Sequence, residues 1–268
     1  MGGETVAEIR AVSAAFHNRR ALGDISLSIR RNEFVGIVGP NGSGKSTLLR
    51  LLNGLVAPTS GTVELFGRPA AGRHLREARR RIGYLPQHCD YDPAYPATVR
   101  EVVMMGRWPM LGLWGRPSPG DRAKVAGVAR LTGLGGLLDR PVGHLSGGER
   151  QKMGIARAMA QEPEILMLDE PTSDLDIAAQ AEVGGLVERV YRRGGLTVLF
   201  VTHFISHLPP CCSRFLLMRG GRIYYDGPRA GALDEKALSG LYGCAVRLVD
   251  VGGRVAVFPG GGNGTAEI

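Results

Sequence analysis

The sequence Gly39-Pro40-Asn41-Gly42-Ser43-Gly44-Lys45-Ser46-Thr47 decides the fold, because its residue types and spacing are typical of one local structure. It follows an apolar run, Phe34–Val38, that is typical of a buried strand, and it leads into the leucine-rich residues 48–52, which are typical of a helix. A strand, a glycine-rich turn and Gly-Lys-Ser match the pattern G-x-x-x-x-G-K-[ST], which predicts a phosphate-binding loop. Without side chains, Gly42 and Gly44 allow backbone N–H groups to surround phosphate oxygens at the N-terminus of the helix.

Two side chains of this loop have specific predicted roles. We expect Lys45 to reach the β- and γ-phosphates of a nucleotide and the Ser46 hydroxyl to bind Mg²⁺. The alternative is a glycine turn that matches the pattern by accident, which the strand before it and the helix after it disfavour. The predicted nucleotide-binding residues of the loop are Gly39, Pro40, Asn41, Gly42, Ser43, Gly44, Lys45, Ser46 and Thr47.

Length and composition indicate a globular protein. The chain has 268 residues, of which 44% are hydrophobic, enough for the core of one large domain or two small ones. No apolar run approaches the roughly 18–20 residues that cross a bilayer, and the N-terminus lacks the basic and apolar parts of a secretory signal. Four cysteines without a repeated spacing fit reduced thiols better than a disulfide framework. We therefore expect a cytosolic protein.

The net charge of +8 comes largely from arginine. A basic surface favours anionic lipid headgroups or nucleic acid, and the alternative is a solvated basic face without a partner. No basic stripe with interleaved aromatic residues and no known nucleic-acid-binding module accompanies the charge. We therefore expect no nucleic-acid partner.

A second apolar run, within residues 164–171, ends in the two carboxylates Asp169 and Glu170. Continuously apolar strands are typical of buried parallel sheets, which bind ligands at the carboxyl ends of their strands. We expect Asp169 to hold Mg²⁺, largely through water, and Glu170 to orient and deprotonate an attacking water. The alternative is an idle Asp-Glu pair in a turn, which is disfavoured in a chain with a phosphate-binding loop.

Two more polar residues follow predicted strands. Gln87 is placed where it would touch Mg²⁺ or an attacking water, although an ordinary exposed glutamine is an equal alternative from position alone. His203 also lies at the carboxyl end of a strand. Its alternative is a metal site with His207 and the neighbouring cysteines, which the intervening proline pair disfavours by interrupting the helix that would align them.

Residues 145–151, Leu-Ser-Gly-Gly-Glu-Arg-Gln, precede a predicted helix that runs through Ala160. They place Ser146, Gly147 and Gly148 at a helix N-terminus, with bare backbone donors and a hydroxyl. This is a second anion site by the same physics as the first. The alternative is a plain serine N-cap with glycines that allow a tight bend.

The rest of the chain predicts three structural parts around these motifs. Short strand-like segments predict an antiparallel layer near the N-terminus, with Phe16 in the loop after the first strand. An apolar cluster at 108–114, namely Trp108, Met110, Leu111, Leu113 and Trp114, is either internal packing or a partner-facing surface. The predicted divisions are 1–87 and 145–226 for an α/β core with its antiparallel layer, 88–144 for an inserted helical subdomain, and 227–268 for a C-terminal extension in which 259–268 is expected to be disordered.

With these motifs in order, the chain resembles the ATP-binding subunit of an ABC transporter over residues 6–226. The resemblance implies a single ABC ATPase domain of α/β class, with a P-loop NTPase (RecA-like) core, an antiparallel β subdomain and an inserted α-helical subdomain. It also implies ATP and Mg²⁺ as cofactors. Five elements agree in sequence and order: the loop 39–47, Gln87, the segment 145–151, the run 165–171 and His203.

The resemblance assigns residue roles as well. Leu-Ser-Gly-Gly-Glu is the signature motif of that family, which implies that it contacts the γ-phosphate held by the opposite subunit of a homodimer. Phe16 would stack on adenine, and residues 173–176 would communicate between the two sites. The implied sites are Lys45, Gln87, Glu170 and His203 for catalysis, Ser46, Gln87 and Asp169 for the metal, and Ser146, Gly147, Gly148 and Glu149 for the second nucleotide contact.

Two residues depart from the family pattern. Asp174 stands where the family often has alanine or glycine, and Phe204 follows the histidine where an acidic residue is usual. Neither removes a group with an assigned role in the chemistry. They would alter the coupling between sites or the contacts around His203.

The region 84–122 is similar to importers of zinc, manganese or iron chelates, and residues 241–244 resemble the iron-chelate branch. The resemblance implies integral membrane permease subunits, a periplasmic or extracellular substrate-binding protein, and a location on the cytoplasmic face of the membrane. The alternatives are the ATPase of an exporter, an importer of a non-metal substrate, or a soluble P-loop NTPase without a transport partner.

Overall fold

The structure, a computed structural model, describes residues 3–16, 19–87, 96–112, 115–251 and 254–260. None of the helices in these ranges is both long and apolar enough to cross a membrane. The strands are β1 Thr5–Phe16, β2 Arg19–Arg30, β3 Phe34–Val38, β4 Ser60–Leu65, β5 Arg68–Pro69, β6 Ile82–Leu85, β7 Ile165–Asp169, β8 Thr197–Thr202, β9 Arg214–Arg219, β10 Arg222–Pro228, β11 Val246–Val251 and β12 Arg254–Pro259. The helices are α1 Lys45–Leu52, α2 Gly72–Arg79, α3 Val99–Met105, α4 Trp108–Leu111, α5 Pro119–Leu131, α6 Gly147–Ala160, α7 Ile177–Arg192, α8 Arg229–Ala232 and α9 Glu235–Tyr242.

Six strands form the main sheet, in the order β10-β9-β3-β8-β7-β6. Five of them are parallel, and β10 pairs antiparallel with β9 at one edge. Every residue of β3, β7 and β8 is buried, as expected for strands that are covered on both faces. Because the parallel strands end at the same edge, the phosphate-binding loop after β3, Glu170 after β7 and His203 after β8 are brought to one side of the sheet.

A second sheet, in the order β2-β1-β4-β5, is antiparallel. Ile9 of β1 pairs with Leu27 on one side and with Val63 on the other, and all three side chains join the core cluster that also contains α1. Each such burial contributes about 1.5–3 kcal/mol to folding. Phe16 is the last residue of β1, so its predicted place in a loop is wrong, because the hairpin continues to that residue.

The helical part between β6 and β7 has its own apolar cluster, which includes residues of α3, α5 and α6. Capping boxes start α3 at Thr98 and α5 at Ser118. Inside this part, Arg107 donates to Asp121 at 2.9 Å, and both side chains are about nine-tenths buried. Arg107, which lies just after α3, also donates to the carbonyl of Ala160 at the end of α6. Its contacts therefore connect the end of α3 with α5 and α6.

The C-terminal extension consists of α8, α9 and the hairpin of β11 and β12. Leu238 and Leu241 of α9 are buried in the cluster beneath the main sheet. The predicted disordered tail, 259–268, lies outside the described residues except for its first two positions, and Pro259 is the last residue of β12.

The predicted class, an α/β fold with an antiparallel layer and a helical part, is confirmed. The helix after the loop begins at Lys45 and ends at Leu52, and helix α2, which no motif marks, runs from Gly72 to Arg79. Ala78 is the only residue of α2 that is buried, which leaves little apolar periodicity to mark its ends.

Candidate functional site

The phosphate-binding loop occupies the turn from β3 into α1. Gly44 precedes the helix with a φ of 100°, a left-handed conformation that favours glycine. A Cβ atom at Gly44 would also lie 2.8 Å from the carbonyl oxygen of Ala21 on the neighbouring sheet. The glycine is therefore required by both the turn and the packing, and it leaves the first backbone N–H groups of α1 facing the cleft.

Lys45 is buried at the base of this turn, with about 5% of its surface exposed. Its Nζ donates to the carbonyl oxygens of Gly39 at 2.7 Å and Pro40 at 3.1 Å, and lies 3.8 Å from Glu170 Oε1. Burial lowers the pKa of Lys45, while the charges of Glu170 and Asp169 act against that shift. The hydrogen bonds of the ammonium group thus go to neutral carbonyl oxygens, which the charged oxygens of a phosphate could replace.

Asp169, the last residue of β7, is fully buried. Its Oδ1 accepts a hydrogen bond of 2.9 Å from Ser46 Oγ, whereas its Oδ2 is buried without a hydrogen-bond partner among the described residues. Burial raises the pKa of Asp169, and the hydrogen bond from Ser46 opposes this shift. A carboxylate oxygen and a hydroxyl placed side by side, with one acceptor left over, are the hard oxygen ligands that Mg²⁺ prefers, so the residues fit that ion.

Glu170 lies where three predicted side chains converge. Its Oε2 accepts from Gln87 Nε2 at 3.3 Å and pairs with His203 Nδ1 at 3.0 Å. Glu170 also has a φ of 50°, an uncommon conformation for a residue with a long side chain. Strained backbone of this kind persists where the surroundings over-determine it, and it directs the carboxylate into the cleft.

The cleft has a volume of about 790 Å³ and is bounded mainly by the predicted residues of the loop together with Gln87, Glu170 and His203. Sequence reasoning missed Arg20 and Ala21, which come from β2 and line the same cleft. The only sequence signal for them is the arginine pair that closely follows Phe16. Phe16 ends β1 near this edge, but its side chain lies outside the described residues, so adenine stacking stays a prediction.

Tyr84 of β6 was also missed. Burial raises its pKa to about 12, and the charge of nearby Asp169 acts in the same direction. Arg50 of α1 lies close enough to act against the rise in the pKa of Asp169. Neither residue stands in a motif, and folding alone brings them beside the carboxylate.

The signature segment forms the N-terminus of α6. Ser146 Oγ accepts from the backbone N–H of Glu149 at 3.2 Å, and Glu149 Oε2 accepts from the backbone N–H of Ser146 at 2.8 Å, which completes a capping box. The residues that line the cleft do not include any of 146–149. The structure therefore does not bring the two predicted phosphate contacts together within one chain.

The two departures noted in the sequence lie beside this site. Asp174 lines the cleft and has a φ of 58°, which aspartate tolerates better than most residues. The ring of Phe204 lies 4.0 Å from the imidazole of His203, centroid to centroid. About half of the Phe204 side chain is exposed, so an apolar surface stands next to the histidine.

Comparison with known proteins identifies the family. The family model for the ABC transporter matches residues 22–173. The phosphonates import ATP-binding protein PhnC of Alcaligenes faecalis is 39% identical over 231 residues, which cover 84% of this chain and 83% of that one. The zinc transport system ATP-binding protein TroB of Treponema pallidum is 33% identical over 236 residues, which cover 88% and 86% of the two chains.

Solved structures agree with this result. An ABC transporter classed as metal-chelate type, in an inward-facing conformation, is 25% identical, has a TM-score of 0.79, and covers 95% of this chain and 96% of its own. A dimeric ATP-binding cassette, bound to ADP and phosphate after hydrolysis, is 29% identical, has a TM-score of 0.71, and covers 83% and 98%. The chain belongs to the ABC transporter family and is an ATP-hydrolysing cassette of it.

Proposed function

We propose that this chain is the ATPase subunit of an ABC importer, acting as a homodimer with separate integral membrane permease subunits on the cytoplasmic face of the membrane. The observation that carries the proposal is the arrangement around Glu170. Lys45, Gln87 and His203 surround its carboxylate in a cleft that the signature segment does not line. The site thus holds the groups for hydrolysis and needs a second molecule to cover the phosphate.

The loop binds the phosphates of ATP in this proposal. Backbone N–H groups at the start of α1 surround the β-phosphate, and Lys45 exchanges its carbonyl partners for phosphate oxygens. The remaining loop residues shape the turn. Phe16 stacks on the adenine ring.

Ser46, Gln87 and Asp169 would hold Mg²⁺, since the Ser46 hydroxyl donates to Oδ1 of Asp169 and leaves Oδ2 of the same carboxylate without a partner among the described residues. When bound there, Mg²⁺ would supply positive charge that offsets the negative charge of the phosphates.

Glu170 is the general base. Gln87 donates to its carboxylate, His203 pairs with it and Lys45 lies at ion-pair distance, and these contacts hold it in place to accept the proton of a water molecule aligned for attack on the γ-phosphate. His203, when it carries a proton on Nδ1, donates to Glu170 and stabilises the charge that develops on the transferred phosphoryl group.

Ser146, Gly147, Gly148 and Glu149 complete the site from the partner molecule. The N-terminus of the 14-residue helix α6 carries partial positive charge and free backbone donors, which suit a γ-phosphate. The dimeric relative with bound ADP and phosphate supports this arrangement.

The dimer is tested by mixing two inactive proteins. Lys45→Ala damages the loop and leaves the signature intact, whereas Ser146→Arg does the reverse. If the signature acts on the partner, a mixed dimer contains one site with an intact loop and an intact signature. We therefore expect the mixture to hydrolyse ATP although neither protein does so alone.

A second mixture serves as the control. Lys45→Ala and Glu170→Gln both damage the cleft of their own chain, so a mixed dimer of these two has no intact site and stays inactive. If the first mixture also stayed inactive while its proteins formed mixed dimers, the shared site would be wrong.

The exposed apolar surface of the helical part supports a membrane partner. Trp108 and Met110 are 56% and 40% exposed, and Trp108 borders a cavity of about 740 Å³ together with Met104, Met105 and Pro117. Exposed apolar surface of this kind is typical of a protein interface. We assign this surface to the permease, which favours the partner-facing interpretation of the cluster at 108–114, although Leu113 and Trp114 lie outside the described residues.

For the transported substrate we propose a metal ion, zinc or manganese, or an iron chelate, delivered by a periplasmic or extracellular binding protein. The zinc transport relative and the structure of metal-chelate type support this choice. The phosphonate import relative, at higher identity, favours phosphonate as the second candidate.

Deletion of the gene separates the two candidates. Loss of a metal transporter lowers the cellular content of that metal and is rescued by adding the metal. Loss of a phosphonate transporter abolishes growth on phosphonate as the sole phosphorus source and leaves metal content unchanged. Loss of growth on phosphonate with unchanged metal content would contradict metal import. It would not contradict the proposed hydrolytic site.

A further inference from the structure

The C-terminal extension touches the loop that carries His203. The hydroxyl of Tyr242, the last residue of α9, donates to the main-chain carbonyl of His203 at 3.2 Å. Strand β12 lies next to the 3₁₀ turn Ile205–His207 that follows the histidine. His203 is therefore held at two points, its imidazole by Glu170 and its backbone by Tyr242.

Helix α9 gives Tyr242 a fixed position relative to the sheet. Leu238 and Leu241 are buried beneath the sheet, and the Arg219 guanidinium of β9 donates to the carbonyl of Gly240. The hairpin is tied to the same helix, since the backbone N–H of Val246 donates to Ser239 Oγ at 3.1 Å. The Tyr242 hydroxyl thus fixes the backbone at His203 relative to the sheet.

The Tyr242 hydroxyl is protonated, and therefore able to donate, at neutral pH. Burial raises its pKa to about 12, so the hydroxyl keeps its proton throughout the neutral range. Its ring lines a cavity of about 440 Å³ between the loop and the hairpin, together with Phe204, Ile205 and Phe258. Because open space borders the loop on this side, apolar packing alone leaves it room to shift.

We propose that Tyr242 is a positioning residue, whose hydroxyl holds the His203 backbone where the imidazole meets Glu170. It acts through His203, so the inference rests on the role proposed for that histidine. The C-terminal extension is by this contact a part of the hydrolytic machinery, although it lies outside the segment that the family model matches.

Tyr242→Phe removes the hydroxyl and keeps the ring. We expect kcat for ATP hydrolysis to fall between about two- and tenfold, the worth of one neutral hydrogen bond. The KM for ATP should stay the same, because the loop that binds the phosphates is not touched. Tyr225→Phe is the matched control, since it loses a bond of the same kind, from its hydroxyl to the carbonyl of Pro228 at 2.9 Å, elsewhere in the C-terminal region.

The same change in a His203→Ala background tests the mechanism. If Tyr242 acts through the imidazole, Tyr242→Phe slows the His203→Ala protein no further. An equal slowing in both backgrounds, or a wild-type kcat for Tyr242→Phe beside a slow His203→Ala, would overturn the positioning role alone. Full activity of His203→Ala would overturn the proposed role of the histidine and this inference together.

Discussion

The nucleotide cleft and the signature segment each contain the N-terminus of a helix, yet they differ in what surrounds that terminus. At the start of α1, Lys45 lies at ion-pair distance from Glu170, and Ser46 donates to Asp169. Glu170 also pairs with His203. At the start of α6, Ser146 and Glu149 bond to each other in a capping box.

This difference shows that a helix terminus attracts an anion without defining a reaction. The partial charge of the terminus is worth only about 0.3–1 kcal/mol at an exposed site. Hydrolysis needs a base, and in our proposal Glu170 in the cleft is that base. The signature segment contributes binding and geometry, and in our proposal its reacting partner lies on another molecule.

The largest effect should come from the base. Glu170→Gln keeps the size of the side chain and one of its acceptor oxygens and removes its ability to take a proton, so hydrolysis should fall on the order of 10²–10⁴-fold while ATP still binds. Single-turnover hydrolysis and nucleotide binding measure the two effects separately. Glu188→Gln, on the exposed ion pair with Arg192, is the control, and a normal rate for Glu170→Gln would show that the base is another group.

The next effect compares two serines that cap helices in the same way. Ser146 caps α6 and Ser118 caps α5, each in a capping box. Replacing either by alanine should cost about 1 kcal/mol of unfolding free energy. Only Ser146→Ala should slow hydrolysis, on the order of a hundredfold, because in our proposal only this hydroxyl also donates to phosphate. If Ser146→Ala and Ser118→Ala hydrolysed ATP at equal rates, Ser146 would act only as an N-cap.

A smaller effect is expected for the metal. Asp169→Asn removes the charge that the ion would meet, so the Mg²⁺ concentration for half-maximal hydrolysis should rise on the order of tenfold. Mg²⁺ titration of the ATPase rate measures this change. Asp226→Asn, whose ion pair with Arg214 lies elsewhere, should leave the titration unchanged. The same midpoint in both variants would remove Asp169 from the metal site.

The smallest effect concerns the helical part that carries the signature segment. Hydrogen bonds from Ser118, and then from Arg107, lower the pKa of Asp121 from 3.8 to about 2. A carboxylate whose pKa is lowered in the folded protein stabilises the fold at pH values above its ordinary pKa. This stabilisation is lost as the pH falls from about 4 towards 2. Urea unfolding at pH 5 and at pH 3 should therefore show a smaller pH effect for Asp121→Asn than for the wild type.

Asp139→Asn provides the comparison, because the Arg100–Asp139 pair is exposed and contributes little. If both variants lost the pH effect equally, the buried pair would not hold the helical part together.

Much of this architecture was predictable because motifs mark the ends of strands. The strand Phe34–Val38 and the helix that ends at Ala160 follow the sequence pattern closely. The end of β1 did not, because pairing with β2 extends the strand to Phe16. The only mark of Arg20 is the arginine pair close to Phe16, and Tyr84 stands in no motif, so no pattern placed either residue in the site.

The sequence by itself determined the phosphate-binding loop, the carboxylates at the end of β7 and the family, because each depends on residue types at short, fixed spacing. Only the tertiary structure decided that Ser46 meets Asp169 across 123 positions of the chain and that Tyr242 meets His203 across 39. Such contacts arise when separate strands and helices pack against one sheet, and packing is a property of the whole chain that no local spacing records.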